Sequence, residues 1–139
     1  MTRRLAKTFA LALFVAYAAA CGSGSGVGDR EIKSGTVGQL TVTLANDDGV
    51  LHHGEQEFNV TFKDSTGKAV DVGSASLNFY MPAMGAMAAM NDAATLQTTS
   101  TPGVYRCRVN LEVGGEWQAQ IAYEGPAGTG KGSFPVTAQ

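Results

Sequence analysis

The sequence predicts an all-β fold, and three observations carry that prediction. From Gln39 to the C-terminus, apolar and polar residues alternate with a period of two in one segment after another. Clusters of Gly, Asp, Asn, Ser and Pro punctuate these segments at near-regular spacing. No stretch shows a convincing helical period. A period of two places alternate side chains on opposite faces of a strand, so each segment reads as a strand with one buried face. About seven such strands predict two packed antiparallel sheets, a β-sandwich of immunoglobulin-like type.

Each element has its own pattern. Leu40, Val42 and Leu44 alternate with Thr41 and Thr43, the first strand. Ala45-Asn46-Asp47-Asp48-Gly49 is a turn cluster, and the segment Val50 to Gly54 that follows holds His52 and His53. Phe58, Val60 and Phe62 alternate with Asn59, Thr61 and Lys63, and Asp64-Ser65-Thr66-Gly67-Lys68 turns the chain. Ala75, Leu77 and Phe79 alternate with Ser76, Asn78 and Tyr80 and lead straight into Met81. Ala94 to Thr99 is a short strand, and Thr101-Pro102-Gly103 a turn. Tyr105, Cys107, Val109 and Leu111 alternate with Arg106, Arg108 and Asn110. Gly114-Gly115 predicts a tight hairpin into the strand of Trp117, Ala119, Ile121 and Tyr123. Gly125 to Gly130 reads as a loop and Gly132 to Thr137 as the last strand. Trp117, Phe58, Phe62, Phe79, Tyr105 and Leu111 are the expected centre of the core.

The sandwich does not begin at residue 1. Arg3, Arg4 and Lys7 precede the apolar run Phe9 to Tyr17, which is followed by Ala18-Ala19-Ala20-Cys21. A charged start, an apolar middle too short to span a bilayer and small residues at a cut site are the layout of an export signal. Cys21 followed by Gly22 resembles a bacterial lipoprotein signal, in which the thiol is acylated and the cysteine becomes the new N-terminus. Ala18-x-Ala20 also suits the ordinary signal peptidase, which would cut the same bond. The expected organisation is a signal peptide over 1–20, lipidation at Cys21, a Gly/Ser-rich flexible linker over 21–37 and one domain over 38–139. The expected location is a membrane-anchored lipoprotein facing the periplasm or the cell exterior.

Charge and cysteine count exclude several functions. All twelve acidic residues but only seven of the ten basic ones lie beyond Ala20, so the mature chain would carry a charge of −5. An acidic domain without a basic patch argues against nucleic acid. There are two cysteines and no CxxC or Cys/His zinc spacing. If Cys21 is acylated, Cys107 has no disulfide partner within the chain; its inward strand position reads as a small buried hydrophobe. No paired carboxylates, nucleophile–base motif or phosphate loop is legible, so the chain does not read as an enzyme.

The departure from ordinary composition is Met81-Pro82-Ala83-Met84-Gly85-Ala86-Met87-Ala88-Ala89-Met90, which holds four of the five methionines at every third position. Thioether sulfur is soft and neutral and has no proton to lose; among common metals it favours Cu(I). In a helix over 83–90, successive methionines would each fall about 60° behind the last, so two or three sulfurs could converge but not all four. In an extended segment they would lie about 9 Å apart, and a site would need the loop to curl or a partner to close it. The competing reading is that Met and Ala cap the apolar end of a sandwich, since Met fills irregular gaps well. If consecutive strands run antiparallel, the His52-His53 turn and the methionine loop share one end with the Glu112–Gly115 connection. Imidazole from His52 and His53 could then join the thioethers; otherwise those histidines belong to a solvated turn. Asp47 and Asp48 read first as turn formers.

One combination of these residues resembles a known family. Gly67-x-x-Val70 leads to a strand ending in Met81-Pro82-x-Met84-Gly85; Gly103-x-Tyr105 opens one later strand and Gly115-x-Trp117 the next. Together, over roughly residues 38–137, they resemble the YtkA-like/FixH-like domain family. The resemblance implies an extracytoplasmic β-sandwich associated with copper handling, cytochrome oxidase assembly or metal efflux, and it points to Met81 and Met84. Related segments often carry a histidine after the glycine, where Ala86 stands here.

The expectation is an extracytoplasmic lipoprotein that binds Cu(I) through Met81, Met84, Met87 and Met90, with His52 and His53 as further candidate ligands. It would act as a copper chaperone or buffer for a copper-accepting or copper-delivering membrane protein of an oxidase-assembly or efflux system. The rival expectation is a protein-interaction module that docks through the exposed Met/Ala loop without metal.

Overall fold

A computed structural model of the protein describes residues 30–139. Nine strands run through them: β1 (Arg30–Val37), β2 (Leu40–Asn46), β3 (Gly54–Lys63), β4 (Ser74–Met81), β5 (Met90–Ala93), β6 (Thr95–Thr98), β7 (Val104–Leu111), β8 (Gly115–Gly125) and β9 (Gly128–Ala138). They form one sheet in the order β1-β2-β3-β7-β6 and a second in the order β5-β4-β8-β9. With β2, β3, β7 and β6 read as strands A, B, E and D, and β4, β8 and β9 as C, F and G, this is the strand order of the immunoglobulin-type sandwich. The all-β sandwich read from the alternating pattern is therefore the fold.

The core lies between the sheets. Trp117, Phe58, Phe62, Phe79 and Leu111 are fully buried and Tyr105 nearly so. Phe58 of one sheet meets Phe79 of the other edge-on at 6.1 Å, and Phe62 meets Tyr123 edge-on at 5.8 Å. These edge-to-face contacts, the favoured arrangement for aromatic rings, join the two sheets. The Trp117 indole N–H, which burial would otherwise orphan, donates to the Val113 carbonyl at 3.2 Å.

Three expectations need correction. The first concerns the linker expected to run to residue 37. Residues 30–37 are instead β1, paired with β2 from Arg30↔Asn46 to Val37↔Leu40 with an irregularity between Glu31 and Lys33. The strand was hidden by its composition, because one of its packed positions is a glycine, partly accessible itself. A Cβ at Gly35 would stand 2.4 Å from the Phe134 ring, so the aromatic of β9 occupies the place where a side chain would be. Pro135 follows on β9, an edge strand, where a missing N–H costs no ladder bond. The expected signal peptide, Cys21 and the remainder of the linker lie outside the described residues.

The second correction is that Gly114-Gly115 does not close a hairpin. β7 pairs with β3 and β6, and β8 with β4 and β9, so residues 112–114 cross from one sheet to the other. The third is the strand count. The methionine segment contributes an unanticipated strand, β5, after which the chain switches sheets at Ala94.

Candidate metal centre

The methionine segment is neither a helix nor an extended loop. It is the tip of a β-hairpin. β4 carries alternately buried residues outward until Met81, whose partner across the ladder is Met90. Between them the chain leaves the sheet and pairs again at its tip, where Met84 and Met87 face each other. The Met84 N–H donates to the Met87 carbonyl at 3.1 Å, and the Met87 N–H donates to the Met84 carbonyl at 2.9 Å. Gly85, the first residue between them, has φ 55°, the positive value that the primed hairpin turns require there. The three-residue spacing thus becomes mirror symmetry about Gly85-Ala86: Met84 faces Met87, and Met81 faces Met90.

Opposed residues of an antiparallel pair share a face, with Cα atoms about 5.5 Å apart when they exchange both main-chain bonds. Met84 and Met87 therefore project together. They are also the exposed large hydrophobics of the domain, 60% and 48% accessible. The other two methionines behave differently. Met81 is 3% accessible and belongs to the core, with its methyl close enough to β8 that a Cβ on Gly115 would come within 3.3 Å of it. Met90 is half-buried against the same core. Two of the four expected ligands are thus free at the tip, and two anchor its base. The Asp92 carboxylate strengthens the base by accepting the Glu112 N–H at 3.3 Å. Asn78 does so from the outer face, donating to Asn91 and Gln120, each at 3.1 Å.

The histidine turn lies at the same end of the sandwich, as strand parity predicts. Gly54, which opens β3, faces Leu111, which ends β7, while Met81 ends β4 beside Gly115. Asn46 builds the turn, donating to the Val50 carbonyl and accepting the Gly49 N–H, both at 2.7 Å. His52 Nε2 lies 2.7 Å from the Asp48 carboxylate, and this hydrogen bond holds the Asp48 carboxyl below its usual range. His53 Nδ1 lies 3.0 Å from the Gln139 carbonyl. A carboxylate and a carbonyl can only accept, so both ring nitrogens carry protons in these bonds. Among the described residues, no group of three or more His, Cys, Asp or Glu side chains comes together around a metal-sized space. Cys107 is fully buried, and burial pushes its thiol up to about 12, which leaves it a thiol rather than a thiolate ligand.

Sequence reasoning missed the pairing itself. The signal was present in Met84-Gly85-Ala86-Met87, a glycine at the first central position of a four-residue turn. It also missed Asp48 and Gln139 as the partners that set the histidine tautomers, since a partner 86 residues away leaves no local mark.

The fold and site together define a class, a two-sheet β-sandwich that presents a thioether pair on a hairpin at one end. The family model of YtkA-like domains matches residues 36–122, and the chain belongs to the YtkA-like family. The match spans β2 to most of β8 and includes the whole methionine hairpin. No curated protein and no solved structure matches the chain significantly. The glycines of the shared pattern divide by position. Gly103 packs at the end opposite the hairpin, where a Cβ would stand 2.4 Å from the Val70 carbonyl oxygen. Gly115 lies under the hairpin base.

Proposed function

We propose that the protein is an extracytoplasmic Cu(I)-binding domain, held at a membrane by acylated Cys21, that carries or buffers copper for an oxidase-assembly or efflux system. One observation carries the reading: Met84 and Met87 are locked opposite each other, exposed and on one face. Met side chains have three rotatable bonds, so two sulfurs on such a frame can converge on one soft ion without moving the backbone. Neutral thioethers select Cu(I) over harder ions and release no proton on binding. Met81 and Met90 hold the frame. This is a binding protein rather than an enzyme.

The test is a Cu(I) titration of the protein lacking residues 1–20, with Cys21→Ser, against a competing chelator. One equivalent bound by this protein and lost in Met84→Leu/Met87→Leu supports the reading; equal behaviour of the two rejects it. The exposure of the same pair also favours a second reading, a docking tip for another protein without metal. Leucine preserves the apolar volume, so docking would survive the double substitution and copper binding would not.

A further inference from the structure

The hairpin tip exposes two soft donors, Met84 and Met87, and no other residue of residues 82–89 carries one. Pro82, Ala83, Gly85, Ala86, Ala88 and Ala89 complete its exposed tip, and none carries a side-chain donor. Met81 is committed to the core and Met90 half-buried against it. Two thioethers leave positions open on the ion, and soft sulfur ligands are the ones Cu(I) selects. We infer that Met84 and Met87 form an open half-site, completed by soft donors of a partner protein, so that copper leaves by direct exchange and not by prior release. This inference rests on the copper reading and specifies how the site works.

Charge argues that the partner is not a second copy of this chain. Residues 30–139 carry seven basic and eleven acidic side chains. Asp92, Glu112 and Glu116 lie around the hairpin base, with Asp48 on the turn at the same end and Arg30 the basic residue beside that turn. Two copies meeting tip to tip would bring these like charges together. The fitting partner presents thiolates or thioethers recessed within a basic or neutral rim. In the exchange, copper stays Cu(I). New Cu–S bonds form to the incoming thiols, whose protons pass to solvent, and the two thioether bonds break.

Dithiothreitol can stand in for such a partner, with the protein lacking residues 1–20 and carrying Cys21→Ser loaded with one equivalent of Cu(I). X-ray absorption should count two sulfur neighbours per copper, the remaining positions being taken by light atoms from solvent. A tenfold rise in dithiothreitol should speed copper loss tenfold, because the incoming thiol enters an open position. Three or four sulfurs per copper, or a rate independent of dithiothreitol, would mean a closed site and overturn the inference while sparing the copper reading. Copper-dependent dimers in sedimentation would overturn the choice of partner. Absence of copper binding would overturn both.

Discussion

Met84 and Met87 exchange both of their main-chain hydrogen bonds across Gly85-Ala86, so the two most exposed methionines of the domain share one face of a two-residue turn. The relationship depends on Gly85. Its φ of 55° lies in the left-handed region, and a Cβ there would meet nothing within 4 Å. A side chain at Gly85 thus faces backbone strain without a clash, at a cost of about 1–2 kcal/mol. Gly85→Val should loosen the turn and weaken Cu(I) binding several-fold while the melting temperature of the sandwich moves little. Gly85→Asn, which tolerates positive φ, should keep most of the affinity. Parallel titrations and thermal melts separate these effects.

The methionines should oxidise in order of exposure. Dilute peroxide should convert Met84 and Met87 to sulfoxides first and leave Met81 until the protein unfolds. Peptide mapping by mass spectrometry reads this directly. Equal rates at all four positions would contradict the two-exposed, two-anchoring arrangement.

Stability should divide the same residues in the opposite sense. Met81→Ala empties a core position and should cost about 2–5 kcal/mol in urea denaturation. Met84→Ala, at an exposed tip, should stay within about 0.5 kcal/mol of the parent.

The place of β1 in the sandwich rests on a missing side chain. Gly35→Val should force the Phe134 ring from its seat and destabilise the domain by about 1–3 kcal/mol. Adding Phe134→Ala should relieve the overlap, so the double variant should lose less than the sum of the two single variants. Additive losses would place the strain elsewhere.

Cys107 makes stability depend on alkaline pH. Burial raises its thiol to about 12 in the folded state, against about 8.5 in an unfolded chain. A raised value contributes stability that is complete below the unfolded pKa. That stability is lost as pH rises towards the folded value, because only the unfolded chain gives up the proton there. The urea midpoint should therefore fall between pH 8 and pH 10, and less steeply in Cys107→Ala. Iodoacetamide at pH 8 should not label Cys107 in the native protein.

Legibility in the sequence followed the range of the interactions. Strands with strict alternation, such as Tyr105 to Leu111 and Phe58 to Phe62, were readable because the pleat writes its period into neighbouring residues. β1 was not, because its packing depends on a glycine and on a phenylalanine nearly a hundred residues later. Gly114-Gly115 resembled a hairpin because a local glycine pair has the same composition whether the chain returns along its own sheet or crosses to the other.

The sequence by itself determined the fold class, the aromatic core, the family pattern and the methionine segment on which the proposed function rests, since each is written in local composition and period. Tertiary structure alone decided which methionines are exposed and which are anchored in the core. Spacing by threes is compatible with a helix, an extended loop or a hairpin, and these differ in which sulfurs meet. The choice comes from long-range terms: β4 must bury Met81 against β8, the chain must return at Met90 to pair with it, and Gly85 permits the turn between. Those constraints turn four equivalent positions in the sequence into two that hold the hairpin and two that face solvent.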